Sequence, residues 1–168
     1  VNQMSMEVSS DGKVVVLSDN QNDTVEFFET TGGPYYTEIV VDTGVVADFS
    51  NPTLSYTLDN PNAYNTAAND NFGDVVAIND TYAAIGVPLE DDASGTSSGK
   101  VYVFNLSDGS LTYTLDNPSQ YGTGTGDYFG HSIAMSDTHI IVGAPYEDRA
   151  GTESGTIYIF DLSDGSLT

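Results

Sequence analysis

Between Thr53 and Leu58 apolar residues take every second position. Leu54, Tyr56 and Leu58 fall on one side of an extended chain, with Ser55 and Thr57 on the other. That alternation predicts a strand with one covered face. Residues 111–115 repeat it, setting Leu111, Tyr113 and Leu115 against Thr112 and Thr114. The runs after Lys100 and Thr156 differ. Val101 and Val103 share one face and Tyr102 and Phe104 the other, while Ile157 and Ile159 oppose Tyr158 and Phe160. Both faces are apolar, so these two strands require cover on both sides. A further short apolar run stands at His139–Val142. Residues 1–52 show no 3.6-residue helical spacing. Their candidate strands are Met4–Val8, Val14–Leu17, Val25–Phe28, Tyr35–Val41 and Val45–Phe49, broken by turn signals such as Asp11-Gly12 and Gly32-Gly33-Pro34.

The chain repeats itself. Phe72-Gly73 recurs as Phe129-Gly130, and Gly86-Val87-Pro88 as Gly143-Ala144-Pro145, each step being 57 residues. The string YTLDNP stands at 56–61 and again at 113–118. Two units follow, 53–110 and 111–168, the second read as truncated because it stops where the first continues. Residues 1–52 lack both motifs. Aligning Ser5–Phe28 with Ser132–Phe160, and Phe49–Leu58 with Leu106–Leu115, makes them a degenerate unit with an insertion around 29–48.

Short strands with two-sided burial inside and a polar-backed strand at the rim predict an all-β chain. The architecture expected is a β-propeller with blades of four antiparallel strands, about three of them. A β-sandwich is the competing architecture, but its strands alternate cleanly throughout, which the two-sided runs oppose. Propellers close with four to eight blades. A partial ring is therefore expected, completed by further chain or by other copies, for instance through strand addition at Thr53–Leu58.

Phe72-Gly73 with Gly86-Val87-Pro88, and Phe129-Gly130 with Gly143-Ala144-Pro145, resemble the FG-GAP repeat, the blade unit of integrin α-subunit propellers and of many microbial surface proteins. The strands Gly99–Phe104 and Gly155–Phe160, of Gly-x-x-Tyr-x-Phe form, resemble the short-turn variety of secreted bacterial and viral proteins. The resemblance implies a propeller fold and says little of function. Many members carry an Asp-x-Asp-x-Asp-Gly calcium loop between the two motifs. Here that place holds only Asn79-Asp80-Thr81 and Ser136-Asp137-Thr138, too few oxygens for the six to eight that Ca²⁺ takes.

Charge narrows the partners. Three basic residues (Lys13, Lys100, Arg149) face 25 acidic ones, for a net charge of −22. Such a surface repels phosphate backbones and anionic membranes. It suits a saline medium that screens self-repulsion, and with it an extracellular, cell-surface or virion-surface setting. Cysteine is absent, so disulfides and thiolate metal sites are excluded. No run reaches the ~18 apolar residues of a membrane span.

The acidic loops give the candidate cation ligands: Glu90, Asp91 and Asp92 in one copy, Glu147 and Asp148 in the next, with Glu153 beyond. Clustered hard oxygens suit calcium, whereas a solvated acidic loop is the plainer reading. Asn22, Asn79 and Asn105 head acceptor sequons for glycosylation. Loop tyrosines 64, 121 and 146 are candidates for stacking on sugars. Gly122–Gly126 does not fit a phosphate loop and reads as a connection between blades. His131 and His139 lack a third ligand or a nucleophile nearby in sequence and read as turn histidines. No catalytic ordering is legible. The expected function is thus a non-enzymatic structural or adhesion propeller, a scaffold on a cell, filament or virion surface that contacts other copies of itself or neighbouring surface proteins. The alternative is a glycan- or protein-ligand-binding module, with or without the assistance of a cation.

Overall fold

The computed structural model describes residues 4–8, 14–19, 24–29, 53–61, 69–93, 95–118 and 123–168. These residues form eleven strands and no helix. β1 (Met4–Val8), β2 (Val14–Asp19), β3 (Thr24–Glu29) and β4 (Thr53–Asp59) make one antiparallel sheet in chain order. β5 (Val75–Ile78), β6 (Tyr82–Val87), β7 (Lys100–Asn105) and β8 (Leu111–Asp116) make the second. β9 (Ser132–Met135), β10 (His139–Ala144) and β11 (Thr156–Asp161) make the third, which has three strands. Beside β11, Leu167 bridges Phe160 and the Thr168 N–H donates to Ile159 O, as Leu111 pairs with Phe104 in the second sheet.

The three predicted strands of 4–28 are thus present, and those at 35–41 and 45–49, with the insertion at 29–48, lie outside the described residues. Boundaries at 53 and 111 mark the sequence period, not the sheets. The strand at 53 completes the first sheet against β3, and the strand at 111 completes the second against β7. The reason is that a repeat has no intrinsic starting phase, whereas a meander closes on its outermost strand.

The sheets follow one another by a regular step. β5 adjoins β1 and β2, and β9 adjoins β5 and β6 in the same way. Consecutive meanders meeting through their first strands are the blades of a β-propeller. The second sheet is apolar on both sides. Ala83, Ile85, Val87, Tyr102 and Phe104 enter a core with Leu58 and Phe72. Ala84, Val101 and Val103 enter a separate core with Phe129, Ile140, Val142, Tyr158 and Phe160 of the third blade. The two-sided burial expected for Val101–Phe104 is therefore observed, with every residue of that run buried.

For Ile157–Phe160 it is not. Tyr158 and Phe160 are buried, but Ile157 is 66% exposed and Ile159 39%, with Ile141 beside them at 40%. Ile157 and Ile159 stand where Val101 and Val103 stand one blade earlier. There the third blade covers them; among the described residues no blade packs on that side of the third sheet. The alternation expected of β8 also fails in part. Leu115 is buried while Leu111 is 45% exposed, and Leu54 likewise is 48% exposed where Leu58 is buried. A register shift at the same place in both sheets, between Phe27 and Phe28 and between Val103 and Phe104, turns Leu54 and Leu111 out of the packed face.

The two sequence motifs meet across a blade seam. A Cβ on Gly86 would lie 2.3 Å from Gly130 O, and one on Gly130 would lie 2.6 Å from Lys100 O. Phe-Gly of one blade thus seats against Gly-x-Pro of the blade before, backbone on backbone. The phenylalanine turns into its own blade: Phe129 packs on Tyr158 and Phe160, each at a 5.9 Å ring separation. Phe72 does the same with Tyr102 and Phe104, at 6.3 Å each.

Candidate functional site

Each Gly-x-Pro ends a strand and opens a loop whose first acidic residue turns inward. Glu90 is fully buried and accepts from Tyr102 Oη at 2.7 and 3.0 Å. Glu147, one repeat on, is 1% exposed and accepts from Tyr158 Oη at 3.2 Å. The same residues hold the loop ends with backbone bonds, Gly99 N–H to Glu90 O and Gly155 N–H to Glu147 O, both 2.9 Å. Neither glutamate is the solvated loop acid that the sequence suggested. A buried carboxylate is costly unless hydrogen-bonded, and the tyrosine on the strand that follows the loop supplies that bond in both blades.

The other candidate ligands fasten the loops. Asp91 Oδ1 accepts from Ser97 N–H at 2.9 Å, Asp92 Oδ1 from Gly95 N–H at 3.1 Å, and Asp148 Oδ1 from Glu153 N–H at 2.7 Å. Lys100, 4% exposed, lies 3.8 Å from Asp92 and bonds Asp116. Among the described residues no three His, Asp or Glu side chains converge as a metal would require. The structure therefore separates Glu90, Asp91, Asp92, Glu147 and Asp148 into individual structural bonds.

A surface cleft of about 410 Å³ opens beside the third blade's loop, lined by Thr125, Tyr128, Tyr146, Asp148, Thr152 and Glu153 among others. Tyr128 and Tyr146 stand edge to face at 5.0 Å, and Tyr146 is 43% exposed. Tyr128 (φ 55°) and Glu153 (φ 54°) adopt left-handed backbone there, as Asn71 (φ 62°) and Ser97 (φ 50°) do one blade earlier. Asparagine accepts that conformation readily and tyrosine does not. The third blade thus places an aromatic at a strained position where the second has a tolerant residue. Leu89 occupies the place of Tyr146 in the second blade. Tyr146 is the described member of the predicted stacking set, since Tyr64 and Tyr121 lie outside the described residues.

The remaining candidates are placed as follows. Asn79 is buried at 8% exposure, its Nδ2 donating to Ser136 O at 2.9 Å and its Oδ1 accepting from Thr81 and Tyr82 N–H, which closes its amide to a transferase in the folded chain. Asn105 Oδ1 accepts from the Ser107 N–H and hydroxyl, and Asn22 is outside the described residues. His131 is exposed, and His139 Nδ1 lies 2.8 Å from Thr138 Oγ1. Gly126 N–H donates to Thr96 O at 2.9 Å, so the described end of the glycine-rich stretch does join two blades.

The turns after β7 and β11 are built on aspartates. Asp108 holds its carboxyl below the usual range through the Ser110 hydroxyl and N–H. Asp161 and Asp164 are lowered by Ser163 and Ser166 in the same way. Tyr113 is raised by desolvation and then by the neighbouring Tyr82. Its hydroxyl donates to Leu162 O at 3.2 Å, a further bond from one blade to the next.

Sequence reasoning missed two features, the inward Glu–Tyr pairs and the Tyr128 half of the cleft. The first had a signal, since Glu90 and Tyr102 recur together as Glu147 and Tyr158. The second had none, because left-handed tyrosine is not legible without coordinates.

This geometry defines a β-propeller module whose repeat signature lies at the blade seams. Residues 62–104 and 122–160 match the FG-GAP repeat. No curated protein matches the sequence. Among solved structures the chain is similar to a functionally unknown protein from Desulfotomaculum acetoxidans, at 12% identity and TM-score 0.54, covering 98% of this chain and 39% of that one. The Cps50 (Swd1) β-propeller domain of Myceliophteria thermophila aligns at 11% identity and TM-score 0.48, over 98% and 38%. The chain spans about two fifths of the length of these structures.

Proposed function

We propose that the chain is a non-enzymatic structural propeller segment that works at an extracellular, cell or virion surface. In this role rigid blades present variable loops to neighbouring surface proteins. One observation carries the reading: the phenylalanine, glutamate and tyrosine that hold each blade together recur, while exposed residues of the loop between them do not. Phe72 and Phe129, Glu90 and Glu147, and Tyr102 and Tyr158 recur inside the blades. On the loops of the third blade Tyr146 replaces Leu89, Arg149 replaces Asp92 and Glu153 replaces Ser97, all three exposed. The net charge of −22 supports a saline setting. The test is labelling of intact, unpermeabilised cells or particles that produce the chain, using an antibody raised against it. Surface signal removed by external protease supports the reading, and signal only after permeabilisation overturns it.

The Tyr128–Tyr146 cleft favours a second reading, a module that binds neutral glycans. Aromatic edges beside threonine hydroxyls and carboxylates offer both apolar and hydrogen-bonding contact to a sugar. An array of neutral oligosaccharides probed with the chain and with Tyr146→Ala decides it. Retention lost in the variant supports binding, and equal signal or none removes it.

A further inference from the structure

We infer that the Tyr128–Tyr146 cleft is a site for an organic cation, an alkylammonium or guanidinium group carried by a small molecule or by a side chain of a basic protein segment. The inference goes beyond both readings above. A scaffold needs no such site, and a neutral sugar leaves the charge of the cleft unused.

The cleft is what the third blade adds to the repeat. Tyr128, Tyr146 and Glu153 stand where the second blade has Asn71, Leu89 and Ser97, while Asp148 keeps the carboxylate of Asp91. Two rings and a second acid have thus arrived together around an acid already in place. The rings stand at 86° with centroids 5.0 Å apart, so they wall two sides of a corner in a cleft of about 410 Å³. The face of an aromatic ring is negative and draws cations.

The rest of the lining has the same sign. Asp148 and Glu153 are exposed at the rim, tied to each other by the Glu153 N–H, which donates to Asp148 Oδ1 at 2.7 Å. Their mutual repulsion is relieved by a cation and worsened by an anion. Asp127, 4% exposed, lines the cleft as well, and its Oδ2 accepts from the Asn117 amide at 2.9 Å. A neutral amide satisfies that oxygen and leaves the charge of the carboxylate in place. Among the described residues no lysine, arginine or histidine lines this cleft; Arg149, next to Asp148 in the chain, lines two other grooves. A bare metal ion finds no three converging ligands among the described residues, whereas a cation clothed in carbon makes use of the rings. Tyr128 and Glu153 hold left-handed backbone (φ 55° and 54°), a conformation that L side chains resist and that gathers at ligand clamps.

Isothermal titration calorimetry of the full chain with choline tests the site. The control probe is the alcohol in which carbon replaces choline's nitrogen, which has the same shape and no charge. Choline binds at a single site, and the neutral alcohol binds at least about tenfold more weakly. Tyr146→Leu installs the second blade's residue at an exposed position and weakens choline at least about tenfold. Glu153→Gln keeps the shape of the rim and weakens choline about threefold. A blocked peptide with one arginine, titrated in parallel, separates the sources. Tighter binding of the peptide assigns the cation to a protein partner and tighter binding of choline to a small molecule, and either supports the site. Equal affinity for choline and the neutral alcohol overturns the inference, because the cleft is then merely apolar. Choline binding unchanged by Tyr146→Leu also overturns it, because the cation then belongs to the acidic surface at large. Absence of binding by both choline and the peptide overturns it too. If a neutral oligosaccharide is retained in that case, the glycan reading stands without it. Surface labelling decides the scaffold reading independently of all these outcomes.

Discussion

Asn79 donates its side-chain N–H to the carbonyl of Ser136, and the two are the same position in successive blades. A turn residue of one repeat therefore grips the turn of the next. Asn79 also caps its own turn by accepting from Thr81 and Tyr82 N–H at 2.9 and 2.8 Å. Ser136 caps its turn with Oγ, accepting from Thr138 and His139 N–H, but its short side chain makes no such reach.

These two roles are separable. Asn79→Ser keeps the cap and loses the seam bond, at a cost of about 1 kcal/mol, whereas Asn79→Ala loses both and costs about 2–3 kcal/mol. Urea midpoints of the two variants against the parent give the order parent, serine, alanine. A serine midpoint equal to the parent's contradicts a seam contribution, and equal midpoints for serine and alanine contradict the cap.

Glycine is required where backbones touch and merely preferred elsewhere. Gly99→Ala forces a Cβ to within 2.0 Å of Phe129 O at φ 84°, so the third blade must shift and the variant loses about 3 kcal/mol or more. Gly126→Ala has the same sign of φ (79°) with nothing within 4 Å, and loses about 1 kcal/mol. Thermal unfolding of the pair separates crowding from backbone strain.

Tyr102→Phe removes the phenol that donates to Glu90 and keeps the ring packed on Phe72. The loss is about 2 kcal/mol, charge-assisted bonds being worth roughly 1.5–3. Tyr158→Phe gives a loss of the same sign through Glu147. Chemical denaturation of each variant measures it, and a neutral result contradicts the role given to the pair.

The pH response follows from the turn aspartates. Asp108, Asp161 and Asp164 have folded pKa values below 3.8 because serine groups bond the carboxylate. A depressed folded pKa stabilises above the unfolded value, and that contribution fades as pH falls through the folded one. Melting temperature therefore declines below about pH 4, and the triple variant Asp108→Asn, Asp161→Asn, Asp164→Asn declines less steeply. These groups are exposed and the effect is small, so the readout is the slope with pH.

Much of the fold was legible because a strand's faces are written every second residue. The recurrence of Phe-Gly and Gly-x-Pro gave the blade period, and apolar residues on both sides of Val101–Phe104 required neighbours on both sides. The same argument misjudged Ile157 and Ile159 because apolar character records what a face is suited to meet, not whether it is met. Leu54 and Leu111 were misplaced by a register shift, which alternation cannot signal. The acidic loops looked alike as a string of carboxylates. Only coordinates separate Glu90, turned in toward a phenol, from Asp91, turned back on its own loop. The tyrosine cleft was half visible, because Tyr146 sits in an evident loop while Tyr128 needs its backbone angle to be noticed.

The account depends on the second blade being enclosed by the third. Val103→Cys places a thiol on the face that the third blade covers, and Ile159→Cys places one at the matching position of the uncovered face. Their modification rates in native buffer at nanomolar protein give the most direct reading. Protection of Val103→Cys up to the limit set by global unfolding, with rapid labelling of Ile159→Cys, is the predicted result. Equal, rapid labelling of both thiols means that the blades do not stack and contradicts it.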